Sequence, residues 1–309
     1  MTTTAVNSSE KAMFQDVNHI ITNTIIEQLE KGVVPWHQPW KGDNSLLNGL
    51  PFNTSTGNRY RGINIVLLWA ATLKHGFQSS EWGTFNHWKA AGEYIRKGEG
   101  ARKAMIVKYG KREKEVDGEL KEIPYLQKHW VFNRCQLQSW KPLENEPTVK
   151  LPINDAIVRS AVIDEFIANT GAIVLSHDGG ACYRPADDKI LLPFIEKFVD
   201  TPTCTAFEGF YSTALHELTH WTGATHRLNR TKGKKFGDQQ YAFEELVAEL
   251  GAAFHCAQFD ISTLEKGDHA AYIDTWLKVL KENKQLLVAA AGDASKSFEY
   301  LQSLQPLPV

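Results

Sequence analysis

Residues 212–223 read S-T-A-L-H-E-L-T-H-W-T-G and place His216, Glu217 and His220 in an H-E-x-x-H arrangement. On an α-helix, residues four apart share a face, so both imidazoles can meet one metal ion. Glu217, beside the first imidazole, can then reach a metal-bound water. The chemistry this allows is metal-assisted hydrolysis. The cation lowers the pKa of water, the glutamate takes its proton, and hydroxide attacks a carbonyl. The cofactor expected is zinc, or another divalent cation such as manganese. Five residues also occur by chance on exposed helices. Here the flanks Ala214, Leu215, Leu218 and Trp221 are apolar; they predict a buried helix, and buried His and Glu need partners.

A catalytic site of this kind needs a third protein ligand and an open position for water. Residues 241–254, Y-A-F-E-E-L-V-A-E-L-G-A-A-F, supply acidic candidates on a second helix. Glu245 and Glu249 lie one turn apart on one face. Glu245 is assigned as the third ligand and Glu249 as the residue that holds a ligand imidazole by its other N–H. The spacing resembles the gluzincin pattern. The competing reading, that both carboxylates face solvent, is disfavoured by Phe243, Leu246, Val247 and Leu250, which leave little polar surface. His226 is a rival ligand, because residues 216–226 also fit the metzincin string H-E-x-x-H-x-x-G-x-x-H. That string requires a downstream Met-turn, and the methionines, Met1, Met13 and Met105, all lie upstream. Tyr183, Tyr241, His177 and Arg227 are candidate donors to a developing oxyanion, and nothing in the sequence chooses between them.

The elements that position these residues follow from periodicity and turn residues. The second half predicts a helix from Asn154 to Ile167, a small sheet (172–177, 181–183, 189–192), and helices over 194–199, 207–220, 241–257, 270–281 and 283–301. One strand at the edge of such a sheet can accept an extended peptide by strand addition. Residues 141–152 are rich in Pro and polar residues and mark a boundary. The first half predicts an amphipathic helix over 11–31 ended by Gly32, and two strands, 104–109 and 128–133, separated by a charged loop from Gly110 to Glu122. The fold class is therefore α+β in two domains: residues 1–145, mixed α/β, and residues 146–309, mostly helical with a small sheet.

The chain has 309 residues and a net charge of −2. Residues 1–145 carry 19 Lys and Arg against 14 Asp and Glu, while residues 146–309 carry 15 against 22. A polyanion would therefore bind the first half. Seven of the nine tryptophans also lie there, interleaved with Arg and Lys, which is the composition single-stranded nucleic acid requires. About half of these indoles are expected in the core. Trp36, Trp40, Arg59, Tyr60, Arg61, Trp82 and Lys97, beside turns and basic residues, are the candidate nucleic-acid contacts. The loop 227–235, with Arg227, Arg230, Lys232, Lys234 and Lys235, is either solvated or holds nucleic acid near the metal. No phosphate-binding G-x-x-x-x-G-K-[ST] loop occurs. The first ten residues lack the basic start and apolar core of a secretory signal. No apolar run spans a membrane. The four cysteines, Cys135, Cys182, Cys204 and Cys256, are scattered, so reduced thiols in a cytoplasmic protein are expected.

Taken together, the motifs resemble the plasmid-borne antirestriction proteins of the ArdC type. The matching residues are 29–36 with Pro39 and Trp40, the string G-N-R-Y-R-G-I-N from Gly57, Arg96–Glu99, residues 216–223, Arg227 to Arg230, Tyr241, and 244–251. The first half is also similar to the N-terminal region of plasmid primases of the TraC type. The resemblance implies a single-stranded-DNA-binding domain followed by a zincin-like metallopeptidase domain. It also implies protection of incoming plasmid or phage DNA from host restriction; read as an enzyme, the protein would act on restriction enzymes or other DNA-bound proteins. A non-enzymatic DNA-binding protein with a structural or regulatory metal domain is the alternative. In one place the chain departs from the family pattern: Ala224 follows W-T-G where a histidine is usual, and the next histidine is His226.

Overall fold

A computed structural model describes residues 6–37, 49–116, 119–141, 154–230, 239–263 and 269–306. The expected boundary at 145/146, Trp40, and Lys232, Lys234 and Lys235 lie outside these residues. The architecture is α+β in two parts, as expected. The first part contains helices α1 (Val6–Leu29), α2 (Ile63–His75) and α3 (Phe85–Ala90) with strands β1 (Phe52–Asn53), β2 (Asn58–Arg59), β3 (Glu81–Gly83), β4 (Ala104–Val116) and β5 (Glu119–Asn133). The second contains α4 (Asn154–Asn169), β6 (Ile173–His177), β7 (Cys182–Arg184), β8 (Lys189–Pro193), α5 (Ala206–Thr222), α6 (Gln239–Phe259), α7 (His269–Glu282) and α8 (Leu286–Ser303).

In the first part, five strands form one sheet in the order β2-β1-β3-β5-β4. The charged stretch expected as a loop instead continues the β4–β5 hairpin, whose ladder runs from Ala104↔Val131 to Val116↔Glu119. Alternating Lys and Glu can pair across strands, as Lys111 and Glu122 do at 2.8 Å. The G-N-R-Y-R-G-I-N turn is built into this frame. Gly62 takes φ +56°, a conformation that favours glycine, and its amide donates to Ser295 Oγ at 2.6 Å. Asn64 grips the edge strand with both ends of its amide, donating to Val107 O and accepting from Val107 N at 2.8 Å each.

The second part packs helices beside a three-stranded sheet, order β6-β8-β7, with β7 at an edge. The segment expected as a helix over 194–199 is only a single 3-10 turn, Ile195–Lys197. A reciprocal cap opens α5: Thr205 Oγ1 accepts from the Glu208 amide, and Glu208 accepts from the Thr205 amide. The largest core joins the two parts. Ile21, Ile25 and Leu29 of α1 and Val66 and Trp69 of α2 pack into one cluster with Leu250 and Phe254 of α6, Trp276 and Leu280 of α7, and Leu287 and Ala291 of α8. All four cysteines are free, and Cys135, Cys204 and Cys256 are buried.

Helices α5 and α6 cross at a glycine. A Cβ on Gly251 would meet Thr219 Cγ2 at 2.5 Å and Oγ1 at 2.8 Å. Gly251→Ala must therefore push the helices apart, at an expected cost of about 1–3 kcal/mol. Thermal unfolding measures this, and Thr219→Ala in the same chain, which removes the two nearest atoms and leaves only Cβ at 3.2 Å, is expected to recover part of the loss.

Candidate metal centre

Helix α5 turns His216 and His220 toward α6, their rings 4.8 Å apart between centroids. Glu245 of α6 faces both. Its Oε2 lies 3.7 Å from His216 Nε2, and its Oε1 lies 3.5 Å from His220 Nε2. One donor atom from each residue falls within 4.8 Å of the others. Two imidazole nitrogens and a carboxylate oxygen are a donor set that fits a divalent cation. Burial opposes charge on Glu245, but the adjacent imidazoles overcome it and hold the carboxyl well below the usual carboxylate range. The same contest raises His220, whose burial is outweighed by Glu244, Glu245 and Glu217.

Behind the donors, α6 supplies two more carboxylates. Glu244 Oε1 is 3.1 Å from His220 Nδ1, the nitrogen turned away from the cluster. Arg230 holds Glu244 from the other side through two bonds of 2.9 and 3.0 Å, and also donates to Thr222 Oγ1, Ser297 Oγ and Thr219 O. Its side chain is 6% exposed. Sequence reasoning assigned Glu244 no role; its signal was its position one residue before Glu245, with Arg230 upstream. The expectation that Glu249 holds a ligand imidazole is corrected: its Oε1 is 4.0 Å from His216 Nδ1, beyond hydrogen-bond reach, and the carboxylate that bonds a candidate ligand imidazole is Glu244, on His220. Glu249 Oε2 is 2.9 Å from Nε2 of His37. His37 comes from the first part of the chain, is buried, and stacks on Tyr272 with ring centroids 4.9 Å apart. Nothing in the sequence pointed to it.

Glu217 is buried and accepts a 2.6 Å hydrogen bond from the backbone amide of Tyr183 in β7. Glu217, His216, His220, Glu245, Tyr241, Cys182 and Tyr183 line one cleft of about 500 Å³. Of the four oxyanion candidates, Tyr241 lines the cleft beside Glu245. Burial first, then the charge and hydrogen bond of Glu245, push its phenol up to about 12, so it stays a donor. Tyr183 also lines the cleft, but its hydroxyl is taken by Asp188 and Arg227. His177 bonds to Gly180 O. His226, the rival ligand, is exposed and turns to Asp188 at 3.4 Å.

The expected basic loop is corrected at two positions. Arg227 lies over the Trp221 ring and bonds Trp221 O and Asp188. It ties the end of α5 to the turn between β7 and β8, while Arg230 is enclosed as described. Three nucleic-acid candidates are also corrected. Trp36 is 1% exposed, Trp82 0% and Tyr60 8%, because large rings gain more from burial in the core they share than from water. Trp36 donates to the Tyr272 hydroxyl at 3.3 Å. Arg59 and Lys97 are exposed, and Arg61 is exposed but paired with Glu299 at 2.9 Å.

Arg230→Met leaves Glu244 charged and enclosed without its guanidinium. The expected loss is about 3–5 kcal/mol, read from urea unfolding. Adding Glu244→Gln is expected to recover part of it, and a loss below about 1 kcal/mol would show that the pair contributes no more than a surface bridge.

Both halves of the chain match known proteins. A family described as zincin-like metallopeptidase matches residues 161–293. The N-terminal domain of anti-restriction factor ArdC matches residues 15–132. The protein y4eC of Sinorhizobium fredii is 31% identical over 94% of this chain and 92% of its own length. DNA primase TraC of Escherichia coli is 31% identical over 97% of this chain, which spans only 20% of that primase. The crystal structure of the antirestriction ArdC protein from the R388 plasmid, metal-free, is 34% identical. It superposes with a TM-score of 0.73, covering 94% of this chain and 97% of that one. Its Mn(II)-bound form is 33% identical, with a TM-score of 0.71 and coverage of 93% and 97%. With both halves matched in order and nearly the whole length shared, the chain belongs to the ArdC-type antirestriction protein family.

Proposed function

We propose that this protein binds single-stranded DNA through its first half and carries a metal-dependent peptidase site in its second. Acting together, they protect incoming plasmid or phage DNA from host restriction. The observation that carries the peptidase reading is Glu217. It is a buried carboxylate beside the three-donor group, and its hydrogen bond comes from the edge strand β7. A metal site that only braces the fold has no use for such a group, whereas a hydrolytic site needs one as general base. The R388 relative was crystallised with Mn(II), so zinc or manganese is proposed as the cation.

When bound, the cation supplies an acidified water and polarises the substrate carbonyl. The remaining roles fall to the chain. Glu217, aimed by the Tyr183 amide, takes the water proton. Strand β7, an edge of its sheet, offers backbone groups to an extended peptide. Tyr241, which stays protonated, donates to the developing oxyanion. Glu244 fixes the His220 ring, as a carboxylate on a ligand imidazole does elsewhere. Restriction enzymes or other DNA-bound proteins are the proposed substrates, and the cytoplasm the proposed location. Among the described residues, no helix is long and apolar enough to cross a membrane.

Glu217→Gln is expected to keep bound metal and single-strand affinity while peptide cleavage falls by about 10²–10⁴-fold. Cleavage is read on a denatured protein substrate, with protection scored by transfer into a restricting host. Full protection by Glu217→Gln would discard proteolysis and leave the metal a structural role.

A further inference from the structure

The indoles expected to stack on bases are enclosed, yet the first half still shows large rings to solvent. Trp130 is 47% exposed near the C-terminal end of β5, and Phe85 is 54% exposed at the start of α3. We propose that this face of β5, centred on Trp130 with Phe85 as a second ring, is the base-stacking surface for single-stranded DNA. The inference rests on the DNA-binding reading above and assigns it a place.

Strand residues two apart share a face, so Lys128, Trp130 and Phe132 lie in one row. Phe132 turns inward, joining Trp88 and Leu137 in a small buried cluster, and meets Phe85 edge-on with centroids 6.5 Å apart. Trp130 and Phe85 therefore flank a buried ring along one rigid surface. The strand cannot shift easily. It is paired on one side to β4, Trp130 opposite Met105, and on the other to β3, Phe132 opposite Gly83. Trp88 Nε1 donates to Phe132 O at 3.1 Å.

The charge around the rings fits a polyanion. Lys103 holds its ammonium 4.5 Å from the Trp130 centroid, and Lys128 is exposed beside it. A stacked base can replace the ammonium over the ring while Lys103 turns to the adjacent phosphate. Aromatic faces bind any unpaired base, and the lysines follow the backbone. Paired bases cannot present their faces, so duplex DNA gains only the charge.

The test is fluorescence anisotropy of the full-length protein with a labelled oligo-dT of about 20 nucleotides, longer than the roughly 4–16 nucleotides such sites cover, and with a duplex of equal length. Trp130→Ala is expected to weaken oligo-dT binding by about ten-fold or more, with little effect on duplex binding. Trp130→Phe is expected to retain most of the affinity. Lys103→Gln is expected to flatten the salt dependence by about 0.7 in slope. Unfolding midpoints matching the parent show that the variants fold. Parent-like oligo-dT binding by Trp130→Ala, or an equal loss on duplex, overturns the stacking surface while leaving the DNA-binding reading intact. Failure of the parent protein to bind oligo-dT overturns both.

Discussion

Thr219 and Gly251 bring α5 and α6 so close that a single added methyl would collide, and the metal centre depends on that approach. One helix carries both imidazoles and the other carries the carboxylates. At a wider spacing Glu245 would no longer reach Nε2 of His216 and His220 together. Burial strengthens the arrangement, because enclosed carboxylates and imidazoles interact in a medium that screens them poorly. It also favours partners for the acids it encloses. Arg230 pairs with Glu244, and His37 accompanies Glu249.

His37 gives the two parts of the chain a physical connection at this site. It leaves α1 through Val34 and Trp36, both buried in the shared core, and ends against Glu249, next to His216. Trp36 and His37 both approach the Tyr272 hydroxyl of α7. The support of the metal centre is thus assembled from residues more than two hundred positions apart. The part assigned to nucleic acid and the part assigned to hydrolysis share one core rather than being joined by a linker alone.

Much of this was legible in the sequence. The H-E-x-x-H spacing and Glu245 on the next helix marked residues that could converge, since helical geometry leaves little freedom once both faces are apolar elsewhere; Glu249, the other half of the i, i+4 pair, does not reach the imidazoles. The helices α5 to α8 and strands β6 to β8 follow from periodicity for the same reason. What the sequence left hidden depends on tertiary contact. His37 and Glu249 are linked only by folding. Tryptophans near prolines and arginines read as exposed, but Trp36 and Trp82 are enclosed, because neighbouring residue type does not report which way a ring points. Arg227 and Arg230 read as part of a loop that is solvated or holds nucleic acid, yet each is paired with an acid of the fold, Asp188 and Glu244. Strands of two or three residues, such as β1 and β3, are too short for any period to register.

Convergence of three donors on one cation is most directly tested by the metal content of the purified protein, measured per chain beside His216→Ala and Glu245→Ala. About one equivalent of divalent metal is expected in the parent protein, with its loss or much weaker retention in both variants. Equal metal in all three, or none in the parent after incubation with zinc and manganese, would contradict the centre described.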